Sequence, residues 1–292
     1  MARRNNPERL GAPHPDAPTV PETSPELQSD PLSFIVPTEF VALPSQGLYY
    51  PEKHPLHNAE SIEIKYMTAK EEDLLSSRSL IEKGLVLDRL IENLLVDKKI
   101  RSRDLLVADR NAILIAARAS GYGHDYSAKI ICHDCGTTDT YEYNLEEAVT
   151  TSPLTLEELD ELGVTLSDRA GTFKVDVPNS PVEVEFRLLN GHDERTLLDL
   201  AEKRKKKKLD DQLITDQLRF MLVSVMGHQE RELIARYVDS LPLRDSRFLR
   251  DVYEKVSPSV NLRKEVVCNE CGYEDDIIFP FTIQFFWPDA RV

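Results

Sequence analysis

The chain has 292 residues, enough for one large domain or two ordinary ones, and its 41% apolar and 30% charged composition is that of a globular protein. Lys and Arg number 36 against 51 Asp and Glu, and the formal net charge of −15 argues against a broad electrostatic grip on DNA or RNA. No apolar run approaches the roughly 18 residues that cross a bilayer, and the two N-terminal arginines precede no apolar core of a secretory signal, so the expected residence is a cytoplasm without membrane contact.

Residues 1–33 hold seven prolines and little apolar periodicity, and read as an extended, solvated arm. Order is expected to begin in "SFIVPTEFVALPSQGLYYPEKHPL" (33–56), where Pro44, Ser45, Gln46 and Gly47 supply a turn between two short apolar segments. In "ESIEIKYM" (60–67) Ile62, Ile64 and Tyr66 alternate with polar residues as in a half-buried strand. Thr68 and Glu71 have capping-box spacing and open a helical region. "VLDRLIENLLVD" (86–97) and "RNAILIAARAS" (110–120) are amphipathic at helical period, and "GYG" (121–123) stops the second.

A similar order follows. Val182, Val184 and Phe186 alternate in "VPNSPVEVEFRLL" (177–189), a second strand. "DERTLLDLAEKRKKKK" begins a helix, "DDQLITDQLRFMLVSVMG" reads as an amphipathic helix running to its glycine, and "RELIARYVDSLP" stops at Pro242. "RDSRFLRDVYEKV" (244–256) is the last predicted helix. The step from Asp109 to Cys132 equals the step from Asp245 to Cys268, so the two stretches that hold them superpose without a gap. Few residues are identical, but strand, helices and cysteine turn recur in order, which favours an internal duplication.

Those turns are "IICHDCG" and "VVCNECG". Two cysteines flanking two residues, with glycine next, form a knuckle that points two sulfurs at one ion, half of a tetrahedral site. Cys132 and Cys135 supply one half, Cys268 and Cys271 the other, and no cysteine is left over. The interval between the pairs is far longer than ordinary ribbon spacing, but duplication brings equivalent knuckles face to face. The reading is one structural Zn2+ stapling two halves. A redox pair needs a CxxC at a helix start, whereas strand patterns flank both of these. His133 reads as a spacer, not a ligand.

"KRKKKK" (203–208) could grip phosphate, but beside Asp210 and Asp211 it reads better as a solvated helix face. No nucleophile, phosphate-loop or metalloprotease motif occurs, and no enzyme or small-molecule substrate is expected. The aromatic C-terminus, with Phe285, Phe286 and Trp287, either caps the core or anchors another subunit. Tyr49 and Tyr50 in "LPSQGLYYP" are likewise core residues or a docking turn.

In combination, "LPSQGLYYP", "SIEIKYMTAKEEDLL", "VLDRLIENLLVD", "DLLVADRNAILIAARASGYGHDY", the two CxxCG turns, "LPLRDSRFLRDVYEKVSP" and "FFWPD" resemble the baseplate (hub) protein family of T-even-like contractile-tailed phages, over residues 34–289. The resemblance implies a non-enzymatic part of a phage tail baseplate, as a hub component or assembly factor. It would contact other baseplate or tail proteins, in the host cytoplasm during assembly and then in the virion tail. The Pro-rich arm departs from the family's shorter members. The runner-up is a zinc-ribbon adaptor for nucleic acid or a transcription complex, acting through residues 203–208. The expected fold is α+β. It has an arm (1–33), a mainly helical lobe with short strands and the first knuckle (34–149), a linker (150–171), and a second lobe with the second knuckle (172–292).

Overall fold

The structure is a computed structural model that describes residues 36–180, 182–279 and 283–286. The chain divides into two compact units, Met1–Val36 and Pro37–Val292, and every described element lies in the second. The arm expected over 1–33 lies outside the described residues.

The fold is α+β. Its first part opens on an antiparallel pair, β1 (Thr38–Ala42) and β2 (Ser61–Lys65), joined by a long turned loop. Gly47 sits there at φ +72°, and a Cβ on it would meet the Ala59 nitrogen at 2.3 Å, so only glycine fits this turn. Thr68 and Glu71 form the predicted capping box on α1 (Ala69–Leu75). After α2 (Arg78–Glu82) comes α3 (Val86–Leu94), whose Val86, Leu90, Ile91 and Leu94 make one buried stripe. The helix stops short of the expected end at Asp97 because Leu95 turns extended and bridges Ile64 of β2. α4 (Val107–Tyr122) then crosses the core and ends at Gly123, which leads into the hairpin β3 (Asp125–Ile131) and β4 (Thr138–Asn144).

The interval 150–171, read as a linker, holds most of β5 (Val149–Thr151), all of α5 (Leu156–Glu161) with a Thr155–Glu158 capping box, and β6 (Val164–Leu166). β6 is the edge of the antiparallel sheet β6-β7-β8-β9, completed by β7 (Thr172–Asp176), β8 (Glu183–Arg187) and β9 (Leu222–Val225). Asn190 and Asp193 cap α6 (Gly191–Lys206), and α7 (Leu213–Met221) leads directly into β9. This corrects the expectation of one helix to Gly227. The run "LVSV" pairs with β8, Leu222 opposite Phe186, and tertiary pairing overrides the helical period. α8 (Arg231–Ser240) and α9 (Leu243–Val256) follow, then β10 (Ser259–Asn261) and the hairpin β11 (Arg263–Val267) and β12 (Glu274–Ile278).

Several positions correspond between the two parts. The step from the start of α4 at Val107 to the start of β4 at Thr138 equals that from the start of α9 at Leu243 to the start of β12 at Glu274. Asp109 and Asp245 each occupy the third position of their helix. Each carboxylate accepts a backbone N–H and a hydroxyl from the loop after a strand: Ser45 N and Ser45 Oγ for Asp109, Asn179 N and Ser180 Oγ for Asp245. The capping residues Thr68 and Asn190 stand equally far past the ends of β2 and β8. The parts are knit together by β5 pairing with β10, by Val107 N donating to Leu189 O, and by Gly191 N donating to Leu105 O.

Candidate metal centre

Each knuckle sits at the tip of a two-stranded hairpin, β3-β4 or β11-β12. In the first, Cys132 N donates to Thr137 O at 2.9 Å and Gly136 N to Cys132 O at 3.0 Å; in the second, Cys268 N donates to Tyr273 O at 2.8 Å and Gly272 N to Cys268 O at 2.9 Å. Gly136 and Gly272 adopt φ of +72° and +73°, the left-handed turn that lets the chain double back after the second cysteine. The sequence thus folds each CxxCG into the same clasp, with both sulfurs on one side.

The two clasps face each other. Cys132 Sγ lies 3.7 Å from Cys271 Sγ, Cys135 Sγ lies 3.7 Å from Cys268 Sγ, and all four sulfurs fall within 4.8 Å of one another. The thiols are free, so the group is no pair of disulfides and could hold a metal ion. Hydrogen bonds from Thr137 hold the Cys135 thiol down at about 6. Cys271 is pushed the other way, to about 12: a Tyr273 backbone hydrogen bond opposes the rise, and burial with the crowding of the other thiols drives it. Four sulfurs this close cannot all ionise without a cation among them.

The residue after the first cysteine of each knuckle reaches across to the opposite hairpin. His133 Nδ1 bonds Asp275 Oδ2 at 2.6 Å, and Asn269 Nδ2 donates to Asp139 Oδ2. His133 Nδ1 is thus engaged by Asp275, and His133 is not in the group formed by the four cysteine sulfurs. The two aspartates hold the same place beyond the second cysteine of their own knuckles. Lys264 Nζ donates to Glu142 O, a further tie between hairpins.

Residues 40–168 match the family model described as T4 bacteriophage base plate protein. This segment belongs to the T4-like phage baseplate family. No curated protein and no solved structure matches the chain. The baseplate segment carries the last three residues of β1, the elements from β2 through β6, and the first knuckle; Cys268 and Cys271 lie beyond it.

The remaining expected site residues are placed differently. Tyr49, Tyr50, Phe285 and Phe286 are core residues at 7%, 2%, 1% and 1% exposure, so the docking surface offered as one reading is corrected to core packing. Tyr50 Oη donates to Asp109 and accepts from Leu106 N, and Tyr49 packs edge-on to Phe173. Trp287 lies outside the described residues. In the basic run, Arg204 pairs with Asp216 and Lys206 with Glu202, which ties two of its six cations to the protein itself. Sequence reasoning missed Arg118. It is 1% exposed on α4 of the baseplate segment and donates to the carbonyls of Phe285, Gly123 and Asp125, each at 2.8 Å. A basic residue interrupting "ILIAARAS" was the available signal.

Among the described residues no helix is long and apolar enough to cross a membrane.

Proposed function

We propose that the chain is a non-enzymatic structural component of a contractile phage tail baseplate, built from two copies of one module stapled by a single Zn2+. The match of residues 40–168 to the baseplate family carries the assignment. Protein–protein contacts with other tail subunits do the work, first in the host cytoplasm and then in the assembled tail.

The donor set supports zinc. Four thiolates are the soft, closed shell of a structural zinc site. A tetrahedron with Zn–S bonds of about 2.3 Å has S–S edges of about 3.8 Å, and the two sulfur pairs across the clasp stand at 3.7 Å. Bound zinc would supply the charge that keeps four thiolates together. Cys132 and Cys135 would hold it from one half, Cys268 and Cys271 from the other. With all four positions taken by sulfur, no open position is left for a substrate. The corresponding helix starts, knuckles and buried aspartates support a duplicated module.

The test is a tagged chain expressed during infection by the phage that encodes it. Purified tails should contain the tagged chain in fixed ratio to tail-tube and baseplate proteins. Its absence from both finished tails and assembling baseplates would overturn the assignment.

A further inference from the structure

The two halves differ at one sheet edge. Leu43 N donates to Glu60 O and Tyr66 N to Pro37 O, which fixes the β1-β2 ladder. Glu39 and Val41 exchange bonds with β2, while Thr38, Phe40 and Ala42 turn their N–H and C=O groups to the outer edge. In the other half, Ser167 N donates to Thr172 O and Val177 N to Val182 O. Thr172, Lys174 and Asp176 therefore face β6, and Phe173 and Val175 face β8. β1 and β7 have the same length, and Ser45 and Asn179, whose backbone N–H groups bond the two buried aspartates, stand equally far past their ends. The covered edge of β7 thus corresponds position by position to the outer edge of β1. Among the described residues no strand covers the latter. Thr38, Phe40 and Ala42 are all exposed or half-exposed, Phe40 at 73%, and none of them carries a charge or a proline that would discourage pairing.

We propose that the outer edge of β1 is a strand-addition site, which takes an extended, apolar segment of another protein as an antiparallel third strand. β6, whose Leu166 is opposite Phe173, shows the kind of strand this architecture accepts. The chain's own residues are a poor substitute. The stretch outside the described structure ends next to β1, and at the distance β6 keeps from β7 it offers residues 30–32. That places Pro31, which has no N–H, where Thr165 exchanges ladder bonds with Lys174. A strand from a partner brings its full row of donors, with main-chain bonds for affinity and a side chain over Phe40 for selectivity. The inference stands apart from the baseplate assignment, since this test can fail while the chain is still packaged into tails.

The experiment is amide hydrogen exchange on the dilute full chain, with and without excess of a synthetic peptide of residues 161–169, "ELGVTLSDR", as the probe strand. Without peptide, Phe40 and Ala42 amides should exchange fast while Glu39 and Val41 are slow; with peptide, Phe40 and Ala42 should become slow. Ala42→Pro removes an outward donor and leaves the β2 ladder intact, so Val41 should stay slow while the peptide no longer protects Phe40. Should Ala42→Pro disturb β1, Phe40→Lys keeps the backbone and should weaken peptide protection instead. The proposal is overturned if Phe40 and Ala42 are already slow in the dilute chain, which assigns the edge to the chain's own residues. It is equally overturned if they slow with protein concentration alone, which assigns it to a second copy, or if the peptide leaves them unchanged.

Discussion

At the residue scale, the most informative side chain is Asp109, fully buried and holding Ser45 N, Ser45 Oγ and Tyr50 Oη. Burial pushes its carboxyl up, and the bonds from Ser45 and Tyr50 pull it back. Asp109→Ala orphans three donors, and at about 1 kcal/mol or more each the cost is about 3 kcal/mol or more. Asp245→Ala orphans two and should cost about 2 kcal/mol, both read from urea unfolding midpoints. His54 gives a pH dependence. Burial lowers it from 6.5, against the pull of Asp104, and its Nδ1 accepts from Leu56 N while the ring stacks on Tyr50. The unfolded ring takes up its proton near pH 6.5 while the folded ring resists, so the contribution is whole above 6.5 and lost as pH falls through that window. The His54 NMR titration should have its midpoint below 6.5, and a His54→Asn variant should lose less stability between about pH 7 and about pH 5.

At the scale of elements, the two knuckle hairpins should depend on metal while the β7-β8 pair should not. Removing metal with a chelator, or substituting Cys135→Ser, should speed amide exchange in β3, β4, β11 and β12 and leave Phe173 and Phe186 slow. Uniform acceleration would mean that the metal supports the whole fold rather than the clasp. Both knuckles were legible in the sequence because CxxCG states its geometry locally, and so was the Thr68–Glu71 capping box. β9 was not, because "LVSV" continues a helical period and becomes a strand only through β8. β5 and β6 are three residues each, too short for a period to show, and they exist through pairing with β10 and β7. Phe285 and Phe286 left core and anchor both open in the sequence for a similar reason. Apolarity marks both an anchor and a core, and what decides it here is Arg118, far off in sequence, donating to the Phe285 carbonyl.

At the scale of the whole molecule, the parts share strands and backbone bonds across their junction, with β5 from one side on β10 from the other. One buried hydrophobic cluster draws on both parts, and residues 37–292 form one compact unit, so they should unfold in one cooperative step. Tyrosine fluorescence and far-UV circular dichroism should give coincident transitions, and two separated transitions would mean independent lobes. The proposed clasp adds a metal link at the hairpin tips, where His133–Asp275 and Asn269–Asp139 already tie the two sides. The most direct test of the proposed four-cysteine zinc centre is zinc-edge X-ray absorption on the full chain as purified. One zinc per chain with four sulfur neighbours at about 2.3 Å is the expected result. A protein without zinc, or a first shell containing nitrogen or oxygen, would contradict it.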